Sequence, residues 1–536
     1  MDLRGLLNTI RVNPPHPRHP RSIVITNFMI KTLQQAAFLR LTLFLTFGII
    51  LQTYWNFYPY WIYGAALSLP LLFLDRFSKK FSTYHWRWLF GVGLFLLCSS
   101  SAGILTYLNQ KQSEWPEEEG IRNYRVQLID EPVRKPRTWM CKVKTGDKIA
   151  LIYLPIDSVS SSLTPSDWLV IKARFEKTDQ LNLLKKGIGA RAFVAKNNWE
   201  KPDPQPERRF NLRFYSLKCR RILLNRLKEV LPDEQSFAVA ATISFGYTND
   251  LDKDTRQTFA VTGTAHILAI GGLHFAIIYS ALNFPFSFLG NKRRARIIRQ
   301  LIILPLLWIF AFFTGMPSSV TRAVIMITVW GIGNAFSFRA LTINTVGSAS
   351  FFMLLYNPYN LFDVGFQLSF SAVLAILLIN PYLTSLYHSR NPIINYVWEL
   401  SCTSTSAQLG TAPISLYYFH QFPLLYLISN CFVIPLTGII LLLIPLSLLV
   451  GFLFGNQPEL LFPLRKLLQL FIGGISALAE IPHGAVTDIQ LTVKDVVNMT
   501  LGIVFSFLLV IKKRMIYLCL LIIVVALQVF YYLCSQ

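Results

Sequence analysis

The sequence predicts a polytopic α-helical membrane protein of about 13 spans with one small extracytoplasmic all-β, OB-like domain. Three observations carry this. Of 536 residues, 53% are hydrophobic and only 15% charged, against about 25% charged in an average soluble protein. Apolar runs recur that match the ~20 residues needed to cross a hydrocarbon core of about 30 Å. One segment, 109–215, alternates apolar and polar residues between turn signals, as short strands do. A soluble enzyme, a coiled coil and a disordered chain are excluded.

Lys and Arg number 51 against 28 Asp and Glu, a formal charge of +23. Cytoplasmic loops of membrane proteins collect such cations, and a polyanionic partner would also use them. The first 30 residues, with RVNPPHPRHPRS, lack an apolar core, so no cleavable leader is expected. Arg4, Arg11, Arg18, Arg21 and Lys31 place the N-terminus in the cytoplasm. Residues 1–108 hold this stretch and three apolar segments, near 37–55, 57–74 and 88–108. YWNFYPYW joins the first two as an outer aromatic belt, and basic DRFSKKF returns inside. The third span therefore delivers residues 109–215 to the outside.

That segment contains NYRVQLI, WMCKVK, KIALIYL, WLVIKARF and ARAFVAK. Five short strands in so few residues predict a small barrel, with a plain sandwich as the alternative. Residues 216–264 are juxtamembrane. NLRFYSLKCRRILLNRLKEVL at their start reads as a basic amphipathic helix on the membrane surface. A dense apolar block, 265–456, follows. Its last run, 422–454, is interrupted by Pro435 and Pro445 and reads as two short spans. Residues 457–536 hold an interfacial or re-entrant helix, PELLFPLRKLLQLFIGGISALAE, and two final spans joined by KKR. Counting from an inside start puts the C-terminus outside.

No phosphate-loop, dinucleotide-binding, H-E-x-x-H or G-x-S-x-G motif occurs. The seven cysteines are scattered, without a C-x-x-C pair. Neither a cofactor nor a metal is expected, and the chain does not read as an enzyme. The chemistry left is polar side chains inside apolar spans. In TGTAHILAIGGLHFAII, His266 and His274 lie two turns apart on broadly one side of a helix, with Gly271 and Gly272 between them. They serve either interhelical hydrogen bonds or the lining of a polar passage. MPSSVTRAVIMI puts Arg322 just inside a span, where it either acts and is paired or snorkels to the interface. NPYNLFDVGFQLSFSAVLAIL adds Asp363, Gln367 and Ser369, the first two on one helical face, with Asp363 an economical partner for Arg322.

HILAIGGLHF, TGMPSSVTRAVIM, NPYNLFDVGFQLSFSAVLAIL and APISLYYFHQFPLLYLISNCFVIPL resemble, in that order, the membrane block of the ComEC-type competence family. LNLLKKGIGARAFVA is similar to part of that family's OB-like outer domain. The resemblance covers roughly residues 35–460. It implies an inner-membrane channel for single-stranded DNA in natural transformation. It also implies partners: single-stranded DNA, an extracytoplasmic DNA receptor, a cytoplasmic motor or single-strand-binding protein, a separate nuclease and the lipid bilayer. The serine usual in His-Ile-Leu-Ala-Ile-Ser-Gly-Leu-His is Gly271 here. The sequence also lacks the His-x-His-x-Asp-His of the metallo-β-lactamase-like domain with which many members end, so strand degradation is not carried over. Under this reading His266, Gly271, Gly272, His274, Arg322, Asp363, Gln367 and Ser369 line the passage. Arg122, Arg125, Arg137, Lys142, Lys144 and Arg191 meet DNA outside, beside Tyr124, Trp139, Tyr153, Trp168 and Phe193. The rivals are a transporter of another anionic or lipid-linked substrate, and a membrane-embedded enzyme using the two histidines.

Overall fold

A computed structural model describes residues 36–77, 87–115, 120–146, 148–165, 167–178, 183, 187–202, 212–290, 292–336, 342–455 and 458–535. The basic N-terminal stretch and most of DRFSKKF and LNLLKK lie outside the described residues. The chain divides into two units, each described by itself. One comprises Phe38–Lys218 with Ser350–Asp363, and the other is mainly Cys219–Ala349 with Val364–Gln536.

The first unit opens with α1 (Ala37–Trp55), α2 (Tyr60–Phe77) and α3 (Arg87–Ser113). Glycine lets α1 approach α3: a Cβ on Gly48 would stand 2.0 Å from the Ser99 carbonyl oxygen, and Ser99 Oγ donates to the Phe44 carbonyl at 3.0 Å. Gln52 is fully buried yet satisfied. Trp61 Nε1 donates to its Oε1 at 2.9 Å, and its Nε2 donates to Gln110 Oε1 at 3.1 Å. In lipid such a network holds helices that hydrophobicity alone cannot order.

After α3 come β1 (Arg122–Leu128), β2 (Val133–Arg134), β3 (Thr138–Thr145), β4 (Lys148–Pro155), the turn α4 (Ser158–Ser161), β5 (Trp168–Ala173), β6 (Glu176–Lys177), β7 (Ile188–Phe193) and β8 (Trp199–Glu200). They form one sheet in the order β6-β7-β4-β3-β1-β5-β8, with β2 on β3. Every pairing is antiparallel except β4 with β7. The period of two works as the sequence predicts. Val126, Leu128, Cys141, Val143, Ile152, Leu154, Leu169 and Ile171 face one core, each large side chain adding about 1.5–3 kcal/mol on burial. Burial pushes the Cys141 thiol up to about 12.

The end of α3 belongs to this core. Trp115 is buried among the strands, 4.6 Å from the Phe175 ring. Lys148 Nζ donates to the Glu114 carbonyl at 2.9 Å. β7 crosses the helix end at Gly189, where a Cβ would meet the Ser113 carbonyl oxygen at 2.0 Å.

The second unit is helical. α5 (Leu212–Val230) enters it, followed by α6 (Glu234–Phe245), α7 (Lys253–Val261), α8 (Ala265–Leu268), α9 (Gly272–Asn283), a 3-10 segment Phe284–Leu289, α10 (Arg293–Phe313) and α11 (Ser318–Ala335). Beyond α12 (Thr342–Tyr356) and a 3-10 segment Pro358–Phe362 lie α13 (Val364–Ser385), α14 (Pro392–Phe419), α15 (Tyr426–Phe454), α16 (Pro458–Ala479), α17 (Val493–Lys512) and α18 (Met515–Ser535). A small ribbon pairs β9 (Phe422–Pro423) with β10 (Ala485–Val486). Among the described residues eight helices are long and apolar enough to cross a membrane: α1, most of α3, α9 with its 3-10 extension, α10, α13, α15, most of α16 and α17. Three shorter apolar helices accompany them. This is a multi-pass membrane protein.

Three expectations change. Pro435 and Pro445 sit inside one continuous α15 of 29 residues, so 422–454 is not two short helices; each proline removes one ladder bond while its neighbours hold the helix. The apolar stripe of α5 (Leu224, Leu227, Val230) joins a protein core instead of lying on lipid. Arg220 of α5 donates to the Thr314 carbonyl at 3.2 Å, at the C-terminus of α10, where a cation is favoured. α16 buries Leu464, Leu468, Phe471 and Ile475 in the same core, so this face is not interfacial. α6, on which no expectation was set, is buried from Ser236 to Phe245, because SFAVAATISF is apolar or small all round.

Candidate functional site

On the sheet domain the relevant surface is the face opposite the core. Strand alternation sends Arg125, Lys142, Lys144 and Arg191 to it, since Val126, Cys141, Val143, Ala190 and Ala192 turn inward. Register aligns them: Lys144 lies beside Gln127, Lys142 beside Leu151, and Leu151 beside Arg191. Arg122 begins β1 and Arg137 precedes β3, both exposed at strand ends and outside this row. Tyr153 and Phe193 are cross-strand neighbours with stacked rings 4.7 Å apart, and Phe193 is 65% exposed. The Arg125 guanidinium lies 4.8 Å from the Trp168 ring centroid. Tyr124 and Trp139, by contrast, pack against the core. Arg191 carries an ion pair with Glu176 at 3.6 Å, which sequence reading missed because β6 has only two residues.

In the helical unit the two histidines do not share a helix. The chain breaks between α8 and α9, with Ala269 and Gly271 extended. The double glycine supplies the reason: neither Gly271 nor Gly272 has side-chain packing to lose on leaving the helix, and a Cβ on Gly271 would meet only the Ala269 carbonyl oxygen at 3.6 Å. His266 Nδ1 stands 3.2 Å from the Gly263 carbonyl oxygen. His274 is buried, 1% exposed, and its ring hydrogen-bonds the backbone of Ile267 across the break. Its Nε2 has no partner among the described residues.

α9, α10 and α11 share a core of Phe275, Ile303, Leu307, Val320 and Val324. Arg322, one turn into α11, is 4% exposed and reaches Ser318 Oγ at 3.4 Å. It is held in protein, so of the two readings snorkelling falls away. α11 also packs beside α13, which carries Gln367 and Ser369, both half-buried. Asp363 stands one residue before α13 begins, closing the 3-10 turn. It and Gln367 therefore do not lie on one continuous helix face. Among the described residues no three His, Cys, Asp or Glu side chains group to hold a metal ion.

The Competence protein family model matches residues 243–514, which contain the break, Arg322 and α13. The chain belongs to the Competence protein family. The ComE operon protein 3 of Bacillus subtilis (strain 168) is 30% identical over 259 residues, covering 47% of this chain and 32% of that protein. The uncharacterized protein YcaI of Escherichia coli (strain K12) is 26% identical over 266 residues, covering 45% of this chain and 33% of that one. An uncharacterized protein of Aquifex aeolicus (strain VF5) is 25% identical over 191 residues, 35% of this chain and 42% of that one. The chain thus spans between 32% and 42% of the length of these relatives. No solved structure matches. The sheet precedes the residues that the Competence protein family model matches.

Proposed function

We propose that this chain is a passage for single-stranded DNA across a bacterial inner membrane during competence, and that it moves the strand without cutting it. The N-terminus is cytoplasmic, and the sheet domain is an OB-type barrel outside. Its meander β1-β3-β4, with β5 on β1 and β7 parallel to β4, supports that reading. The observation that carries the substrate is the outer face, where four cations alternate with Trp168 and the stacked Tyr153–Phe193 pair. Single-stranded DNA needs both, a basic track for phosphates and aromatic faces for bases. His266, Gly271, Gly272, His274, Arg322, Asp363, Gln367 and Ser369 line the membrane part of the route. Among them the histidines, Arg322, Asp363 and Gln367 are costly in lipid and less so against a polar lumen. Moving each phosphate inward against an inside-negative potential costs about 2.3 kcal/mol per 100 mV, so a cytoplasmic motor or binding protein pulls. A surface receptor presents the strand, and a separate nuclease removes its complement.

The test uses a deletion strain given radiolabelled duplex DNA. Label should stay bound at the surface and never reach the cytoplasm, and the intact chain should restore uptake. Normal cytoplasmic label in the deletion strain would end this reading.

A further inference from the structure

The turn from α9 into α10 carries charge that the chain beside it does not offset. Lys292, Arg293, Arg294, Arg296 and Arg299 fall within eight residues, and the sequence holds no Asp or Glu from 255 to 362. Lys292 precedes α10 without a side-chain cap bond, and cations are disfavoured at the positive end of a helix. The turn is nevertheless fixed. Gly290 takes a φ of 75°, which glycine adopts freely. Arg299 donates to the Gly290 carbonyl and, at 3.4 Å, to Asn283 Oδ1, so its guanidinium is engaged within the turn. Gln300 Nε2 donates to Tyr279 OH at 2.7 Å and ties α10 to α9. With Ala295, Gln300, Ile303 and Leu307 buried, the opposite face of α10 is the outward one. It begins at Arg294 and continues through Ile298, Leu301 and Ile309, all exposed. Lys292 and Arg293 beside it are exposed too.

We propose that this end of α10 is a binding site selective for an anionic phospholipid, its phosphate against Lys292, Arg293 and Arg294 and an acyl chain along Ile298 and Leu301. α9 with its 3-10 extension ends at Leu289 and α10 begins at Arg293, and both are long and apolar enough to cross a membrane. The turn between them therefore lies at the edge of the bilayer, at the depth of lipid phosphates. Each exposed cation near an anionic leaflet adds to the attraction, and the headgroup supplies the counter-charge that this stretch of sequence lacks. A nucleic acid would meet the same cations, but it has no apolar tail to match the stripe that continues beneath them. Charge set over an exposed apolar stripe has the outline of a lipid. The assignment holds whether or not the chain passes DNA.

Native mass spectrometry of the full chain in a neutral detergent, titrated with phosphatidylglycerol or phosphatidylcholine, tests it. The parent should prefer phosphatidylglycerol. The double variant Arg293→Gln with Arg294→Gln should lose about thirtyfold in affinity for that lipid and keep its affinity for phosphatidylcholine. Arg293→Lys with Arg294→Lys retains the charge and should keep most of the preference. Taking cations from a helix start relieves repulsion, so the glutamine variant should melt no lower than the parent in lipid-free detergent. Lys513→Gln with Arg514→Gln removes two cations from the other basic turn and should change phosphatidylglycerol binding little. Equal affinity for phosphatidylglycerol in the parent and the Arg293→Gln, Arg294→Gln variant, or an equal loss at both turns, overturns the site. Binding of a fluorescent oligothymidylate, read by anisotropy, should be the same in the glutamine variant as in the parent. Its loss there with the lipid preference intact makes the occupant a nucleic acid and overturns the lipid. Loss of both reduces the turn to unspecific charge and overturns the site as well.

Discussion

At single positions the outer face separates contact from support. Phe193 presents most of its ring to solvent over Tyr153, so Phe193→Ala should weaken binding of single-stranded DNA by about 1–3 kcal/mol and leave the melting temperature unchanged. Fluorescence anisotropy with an oligothymidylate measures it, and an unchanged affinity removes this ring from the interface. The Glu176 carboxylate beside Arg191 competes with phosphate for the same guanidinium. Glu176→Gln should therefore raise affinity and steepen its fall with salt by about one unit of log-log slope. Arg322 is the corresponding residue in the helical unit. Arg322→Ala should abolish DNA uptake with surface binding intact. Arg322→Lys should keep part of the uptake if charge alone matters and little if a bidentate contact is needed. Uptake at parental level in the Ala variant, at equal protein abundance, would take Arg322 off the route.

Between elements, two glycines carry close approaches that no other residue permits. Gly189 lets β7 cross the end of α3. Gly189→Ala should force strand and helix apart and destabilise the outer domain by about 1–3 kcal/mol, read as earlier proteolysis between residues 120 and 200. Gly410 lets α14 lie against α13, where a Cβ would sit 2.4 Å from Ala375 Cβ. Gly410→Leu should lower the yield of folded protein, while the same change at Gly502, with nothing within 4 Å, should not. Legibility in the sequence follows from the same geometry. The five main strands were readable because alternation reports directly which face is buried. The break at Ala269–Gly271 was not, since a Gly pair inside an apolar run serves close packing and helix interruption equally well. Nor was the continuity of α15, because proline in a membrane helix breaks it only if neighbours leave the freed carbonyl bare. The cations of the outer face were legible as a set, but their division was not. Arg125, Lys142, Lys144 and Arg191 form a row through register, which depends on partners distant in sequence.

For the whole molecule, orientation decides everything built on the sheet. A reporter fused near residue 160, in the loop after β4, should be active only in its exported form. Cytoplasmic activity there would reverse the topology and put the basic face on the wrong side of the membrane. The joint between α3 and the sheet adds a mechanical point. Trp115 is a plug two residues beyond α3, a helix that runs without interruption from Arg87 to Ser113. The sheet domain is thus not a bead on a string but the head of a stiff lever, with Gly189 as the notch in which the shaft sits. A strand drawn across the head by a pull from below would load that shaft, and the tug would arrive among the first three helices as tilt.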